Sequence, residues 1–378
     1  MGLPGLPTAQ VRRQAARLQP TLVGALLLLA SGGIGGAQAT PAEGAGAWSA
    51  TAGWLAQAKQ ETSSQAIPAE VQGWFAGAKA AAARGDAAEA LRLQKQVLAW
   101  LQTNPQAPDA FRARALINLG NFLAELGQSQ EALAPTVEAE RILRQLQASG
   151  PEARRWLAAS VNNLGLRLSD LGRHQEALAP SEEAVRIYRE LAKTNPADCG
   201  ALAGSLTNLG NRLSVLGRHQ EALVHSLEAV GIYRELAQTN LSDRNELAGA
   251  LKNLGIRYRD LGRRQQALAP SEEAVRIRRE LAAINPAYLG ALATALGNLA
   301  LSYRDVDRRQ ESLTLSEESL GIYRGLARTN PAYLRDLALN LMNLGSAYSE
   351  RGRRQEALAV TDEAVKIYQE LVSTKPIY

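Results

Sequence analysis

The chain has 378 residues, 46% hydrophobic and 21% charged, which supplies ample apolar material for a core and excludes bulk disorder. Forty-two Lys and Arg against 37 Asp and Glu give a net charge of +5, a basic balance that raises nucleic acid as a partner to be tested. One Cys excludes a disulfide framework, and three His beside it are too few for a conventional structural zinc site.

Residues 1–39 have the order of a secretory signal peptide. Arg12, Arg13 and Arg17 form a basic start, Thr21 to Ala30 is an apolar run, and Ala37-Gln38-Ala39 is a small-residue cleavage pattern before Thr40. An uncleaved anchor is the alternative, but this apolar run is short of the roughly 20 residues that a membrane span needs. Removing the three leader arginines from 42 basic residues leaves 39 against 37 acidic, a net of +2, so the basic balance belongs in part to the leader. No Lys/Arg run or interleaved aromatic platform follows, and nucleic acid is not expected as a partner. The reading is an exported protein, periplasmic or secreted, with no membrane span in its mature chain. Residues 40–65, rich in Ala, Gly, Ser and Gln around Trp48 and Trp54, read as a flexible linker with room for a short helix.

From residue 110 one period organises the chain. Asn-Leu-Gly begins at Asn118, Asn163, Asn208, Asn253 and Asn343, Asn298-Leu299-Ala300 fills the gap, and each Asn is 45 residues from the next. Leu171-Gly172-Arg173-His174-Gln175-Glu176-Ala177-Leu178 recurs at the same spacing in altered form. Six units result: 110–154, 155–199, 200–244, 245–289, 290–334 and 335–378, about 70% of the chain.

Within a unit the apolar spacing is helical. Val161, Leu164, Leu168 and Leu171 fall on one face of a first helix that Gly172 ends, and Ala177, Leu178, Ala184, Ile187 and Leu191 mark a second helix stopping near Asn195-Pro196. The columns Ile142, Ile187, Ile232, Ile277, Ile322, Ile367 and Leu146, Leu191, Leu236, Leu281, Leu326, Leu371 have no polar exception and read as core. Gly165 and its equivalents sit in mid-helix, where Gly costs roughly 1 kcal/mol against Ala, so two helices are expected to approach closely there. Pro135, Pro180 and Pro270, early in the second helix, predict a local bend.

Catalytic and metal chemistry find no support. His174 and His219 share a turn column with Ser129, Arg264, Arg309 and Arg354, which marks a solvated place, and His225 has no partner in sequence. Cys199 is placed in an inter-repeat loop without a His–Asp constellation, and no phosphate loop, nucleophile elbow or paired-His motif occurs. Glu182-Glu183 and Glu272-Glu273 read as solvated faces supporting i,i+4 pairs with Arg186 and Arg276. No cofactor, metal or enzymatic activity is expected.

Leu206, Leu209-Gly210, Leu213, Gly217, Ala222 and Ala229, together with Leu251, Leu254-Gly255, Tyr258, Gly262, Ala267 and Ala274, resemble the tetratricopeptide repeat. The added length lies in the second helix and its loop, as in the long-helix variety of kinesin light chains and bacterial multi-repeat proteins. The Val306-Asp307 turn lacks the usual Gly, and Arg351 replaces the apolar end of the last unit's first helix. Residues 66–109, from Trp74 through Arg84-Gly85-Asp86 to Asn104, look like one further degenerate hairpin.

The resemblance implies an all-α, right-handed α-solenoid (superhelix) of stacked antiparallel helix pairs, with the first helices lining a concave groove that holds a partner peptide or helix. It places Asn118, Asn163, Asn208, Asn253, Asn298 and Asn343 where an amide bonds a ligand's backbone; a structural bond to a neighbouring helix is the equal alternative. Asn211, Lys252, Arg259 and Arg304 vary between units and are candidates for specificity, with an acidic or carboxylate-ended peptide over Lys252, Arg259 and Arg304. Pairing of those arginines with Asp260 and Asp305 inside the groove is the competing reading. A self-associating component of the cell envelope is the second functional reading, because no polar capping helix is evident after Leu371 and no appended domain is expected there.

Overall fold

A computed structural model of the chain describes residues 67–238 and 241–374, so the leader, the linker and the C-terminal Pro376-Ile377-Tyr378 lie outside the described residues. Among those described there are fourteen α-helices and no strand. They follow one another as antiparallel pairs: α1 (Ala69–Ala83) with α2 (Ala87–Thr103), α3 (Asp109–Glu125) with α4 (Ser129–Leu146), and α5 (Pro151–Asp170) with α6 (Leu178–Thr194). Then come α7 (Cys199–Val215) with α8 (His219–Leu236), α9 (Leu241–Asp260) with α10 (Leu268–Ile284), α11 (Leu289–Asp305) with α12 (Arg309–Thr329), and α13 (Leu334–Glu350) with α14 (Arg354–Thr374). Each helix packs on the one before and the one after it, which is an α-solenoid.

The tight turn within each pair needs a left-handed residue. Gly85, Gly127, Gly172, Gly217, Gly262 and Gly352 supply it with φ between 69° and 80°, and in the pair without a turn Gly the place is taken by Asp307 at φ 60°. Aspartate is among the few non-glycine residues that tolerate this region. Between pairs, Asn195, Asn285 and Asn330 end a second helix in extended backbone before Pro, and each side chain accepts a hydrogen bond from the N–H two residues on.

The glycine column does mark a close approach. A Cβ on Gly165 would stand 2.4 Å from Ser181 Oγ and 3.2 Å from the Ala177 carbonyl oxygen, and Gly120, Gly210, Gly255 and Gly345 face Thr136, Ser226, Ser271 and Thr361 in the same way. The facing hydroxyls of Thr136, Ser181, Ser271 and Thr361 donate to the carbonyl four residues back, so the contact is polar but internally satisfied.

The proline expectation holds in an altered form. Pro180 and Pro270 have no N–H to close the preceding α-turn; α6 and α10 therefore start at Leu178 and Leu268 after a turn and a short 3₁₀ segment, respectively. Where His225 and Leu315 occupy that place, α8 and α12 start four residues earlier in the repeat frame, at His219 and Arg309. Pro135, by contrast, lies inside a continuous α4.

The predicted core columns are only partly uniform. Ile142, Ile187 and Ile277 are buried, as are Leu191 and Leu281, whereas Ile232, Ile322, Ile367, Leu146, Leu236, Leu326 and Leu371 are half-buried. From α3 to α11 the backbone of each first helix approaches that of the next first helix, whereas the backbones of successive second helices stay farther apart. The first helices therefore lie on the inner side of the stack.

Candidate functional site

Residues one turn apart share a helix face, and the half-buried stripe of the inner helices repeats on that spacing. It carries Asn162 and Asn163 on α5, Thr207, Asn208 and Asn211 on α7, and Lys252 and Asn253 on α9. One turn before the Asn, Gly204 and Gly249 keep the backbone approachable; a Cβ there would meet nothing nearer than Tyr233 Oη at 3.4 Å and Arg278 Nη2 at 3.6 Å, respectively.

The six predicted amides have different fates. Asn163 donates to Asn121 Oδ1 and Asn208 to Asn162 Oδ1, both at 3.2 Å, so these two tie neighbouring first helices together. Asn298 donates to the Thr294 carbonyl of its own helix. Asn118 is 9% exposed and its Nδ2 has no hydrogen-bond partner among the described residues. Asn253 and Asn343 are half-buried, and neither makes a side-chain hydrogen bond among the described residues.

The predicted specificity residues are drawn into contacts across the groove. Arg259 Nε lies 2.7 Å from Asp305 Oδ2, Arg304 is 4.0 Å from Glu350, and Asn211 Oδ1 accepts from Arg257 Nη2 at 3.0 Å. Lys252 is half-buried beside Asn253.

A column of arginines lies beneath this face. Arg167, Arg212 and Arg257 each follow the Asn by four residues, one helical turn, and Arg212 and Arg257 are only 2% exposed. Arg257 is answered by Asp260 at 3.0 Å and Arg167 by Asp170 at 3.4 Å, in each case three residues on. Val215 stands in that place for Arg212, whose Nε donates to the Gly165 carbonyl at 3.2 Å while Nη2 has no hydrogen-bond partner among the described residues. Burial pushes the Arg212 guanidinium down to about 10, with Asp170 opposing the shift and Arg167 adding to it. Burial likewise raises the carboxyls of Asp170 and Glu125 above their ordinary range, against the pull of Arg167. The face is thus a row of amides above desolvated cations, suited to a peptide backbone and to acidic groups.

Other expectations change in detail. Cys199 is the first residue of α7, reached through the 3₁₀ turn Pro196–Asp198, and is not in a free loop. His174 and His219 are half-buried rather than fully solvated, with Nδ1 3.2 Å from Ser169 Oγ and 3.8 Å from Asp260 respectively. No group of three His, Cys, Asp or Glu among the described residues is arranged to hold a metal ion.

The acidic pairs work between repeats more than along one helix. Arg144 reaches Glu183 on the next second helix, and Arg189–Glu228, Arg234–Glu273, Arg279–Glu318 and Arg324–Glu363 repeat the contact at 2.6–3.0 Å. The signal was present as an Arg followed by Glu 39 residues later in every unit junction from Arg144 onward.

Comparison with known proteins agrees with this architecture. A family model described as tetratricopeptide repeat matches residues 157–198, 202–240, 247–284, 292–326 and 341–376, half of the chain. One described as anaphase-promoting complex subunit 5 matches residues 99–149. No curated protein matches the sequence. Among solved structures, BtubC (BKLC) from P. vanneervenii is similar over 66% of this chain and 94% of its own, at 21% identity and a TM-score of 0.53. The apo form of RapI is similar over 80% and 99%, at 13% identity and 0.60. A Rap protein complexed with Competence and Sporulation Factor is similar over 85% and 80%, at 16% identity and 0.56. At such identities the likeness speaks for the fold, and it joins the repeat match and the packing of the helix pairs in one conclusion: the chain belongs to the tetratricopeptide repeat family.

Proposed function

We propose that this protein is a non-enzymatic scaffold that binds a peptide or helix of a partner protein along the inner face of its first helices. Asn253 carries the reading. Its amide is half-buried without a side-chain hydrogen bond among the described residues, next to Lys252 and one turn from Gly249. Both atoms of the amide are therefore open to a ligand on this face, and a bound backbone offers them a donor and an acceptor together. The Rap conjugation gene regulator of plasmid pLS20, whose structure contains the Phr* peptide, supports the same use of this architecture at 14% identity and a TM-score of 0.54.

An acidic segment is the finer form of the proposal. It sits over Lys252 and Asn211, and competes with Asp305 for Arg259 and with Glu350 for Arg304. Arg12, Arg13 and Arg17, the apolar run and Ala37-Gln38-Ala39 support export with cleavage before Thr40, which makes an envelope or secreted protein the partner. Affinity capture from the exported fraction, with wild-type and Asn163/Asn208/Asn253→Ala baits in parallel, tests the site. A partner retained by the wild type and lost by the triple variant is expected, and equal recovery sinks the role of the amides. N-terminal sequencing of the exported protein, expected to begin at Thr40, tests the address.

A second reading, self-association, has its own observation. Leu178, Leu223, Leu268 and Leu313 occupy one repeat position and are 2–8% exposed, whereas Leu358 in the same position on α14 is 63% exposed. Sedimentation at rising concentration distinguishes the readings: a Leu358→Glu-sensitive dimer favours association, and a monomer throughout removes it.

A further inference from the structure

From the α4–α5 junction onward, an Arg precedes the second helix of each repeat (Arg173, Arg218, Arg263, Arg308 and Arg353), beside the seam between that repeat's first helix and the preceding second helix. At two junctions a tyrosine of the chain itself lies under this Arg and bonds an acid across the seam; Tyr258 holds the same repeat position at a third, where Leu227 replaces the acid. Tyr303 on α11 donates its hydroxyl to Glu272 on α10 at 2.9 Å, and the Arg308 guanidinium carbon stands 3.9 Å from the centre of its ring. Tyr348 on α13 repeats this with Glu317 at 2.9 Å and Arg353 at 4.3 Å. In both cases a Glu three residues on, Glu311 or Glu356, holds the Arg in place.

Three periods before the first of these, the same places are Val137, Leu168 and Arg173. Glu176 holds Arg173 through two hydrogen bonds of 2.8 and 2.6 Å, as at those two junctions, but no ring of the described residues lies under it. An open cleft of about 490 Å³ remains, floored by Val137, Val161, Leu164, Leu168 and Pro180, with Arg173 on its wall. That volume is within the roughly 300–1,000 Å³ of ordinary ligand clefts. Val137 is 44% exposed there, an apolar residue where three other junctions, at Glu182, Glu272 and Glu317, place an acid.

The geometry points to this cleft as a docking site for an aromatic side chain of a partner polypeptide, an external counterpart of Tyr303 and Tyr348. The complementarity is electrostatic as well as apolar. A fixed guanidinium attracts the negative face of an aromatic ring and gives nothing comparable to an aliphatic side chain. Glu140 and Glu183 on the rim are acceptors for a ring hydroxyl. At the following junction Leu213 again leaves the ring position empty, but Glu182 stands where Val137 does and the floor loses its apolar continuity. Val161, Leu164 and Leu168 are at least a quarter turn around α5 from Asn163, so the cleft is separate from the amide face and stands or falls independently of it.

Methyl NMR on the full chain, titrated with N-acetyl-tyrosinamide and N-acetyl-leucinamide, tests the assignment. Saturable shifts of the Val137, Leu164 and Leu168 methyls are expected, with about three-fold or more tighter binding of the tyrosine compound. The double variant Val137→Glu/Leu168→Tyr writes the chain's own Glu272–Tyr303 pair into the cleft and should abolish the remaining Leu164 shift. Arg173→Met, at a solvated position, should keep binding and lose the preference for tyrosine, which holds the test open if the double variant does not fold. No saturable shift in the wild type, equal affinity for the two compounds, or unaltered binding in a folded double variant overturns the proposal.

Discussion

The inner and outer sides of the stack use arginine in opposite ways. On the outside, Arg144, Arg189, Arg234, Arg279 and Arg324 are 44–55% exposed and each meets a Glu of the next repeat, a regular ladder in water. Inside, the pattern is irregular and dry: Arg155 grips Asp198 through two bonds of 2.7 and 3.0 Å, Asp198 is 5% exposed, and Arg212 is buried with an unfilled donor. The carboxyls follow suit. Arg141 and Arg173 hydrogen-bond Glu138 and Glu176 and hold them below the usual carboxylate range, whereas burial lifts Glu125 and Asp170 above it. Regular recurrence is therefore a poor guide to energetic weight. Exposed pairs are screened and contribute little, while a buried charge stripped of its partner is expensive.

The contrast breaks first at Arg155. Arg155→Ala leaves the Asp198 carboxylate buried without its cation and should lower stability by about 2–3 kcal/mol in urea unfolding, with part of the loss recovered by adding Asp198→Ala. A loss below about 0.5 kcal/mol would put the inner pair on the same footing as an outer rung. Glycine sharpens the same division between packed and open surfaces. Gly165→Val pushes a side chain into Ser181 and should cost about 2 kcal/mol, whereas Gly231→Ala on α8, with nothing within 4 Å, should gain about 0.5–1 kcal/mol. Paired thermal melts decide this, and equal signs would contradict the close approach.

A smaller effect concerns pH. Burial holds the His225 imidazole below its ordinary 6.5, so the unfolded chain binds the proton more readily and stability rises with pH through that interval. The contribution is complete above about 6.5 and is lost as pH falls below it. His225→Leu, the residue type at Leu315 in the same repeat position, should flatten the stability profile between about pH 5 and 7. The smallest change belongs to the ladder: Arg189→Gln should alter stability by no more than about 0.5 kcal/mol, and salt should erase the difference.

Much of this molecule is legible in its residues. The 45-residue period, the turn glycines and the mid-helix glycine opposite a small hydroxyl residue all follow from local rules, because each constraint lies within one helix pair. The departures are instructive for the same reason. Asp307 could be flagged as a turn without its Gly, and the backbone does take the left-handed conformation there. Pro180 and Pro270 could be expected to disturb their helices, but only the structure shows that the first α-turn is replaced. Helical spacing points Glu182-Glu183 and Glu272-Glu273 at neighbours four residues on, yet Glu183 meets Arg144 more closely than Arg186, Glu273 meets Arg234, and Glu272 meets Tyr303.

The sequence by itself determined that this is an all-α array, where its helices turn, and which columns pack inside a pair. Only the tertiary structure decided which amides remain unsatisfied, which arginines are buried, and which junction cleft stays open. Asn163 and Asn253 are identical in local sequence role, and they differ because Asn121 Oδ1 accepts from Asn163 while Asn211, in the same place before Asn253, accepts from Arg257 instead. Such differences depend on side chains 31 to 46 residues away that stacking brings opposite one another, and helical periodicity carries no information about that pairing.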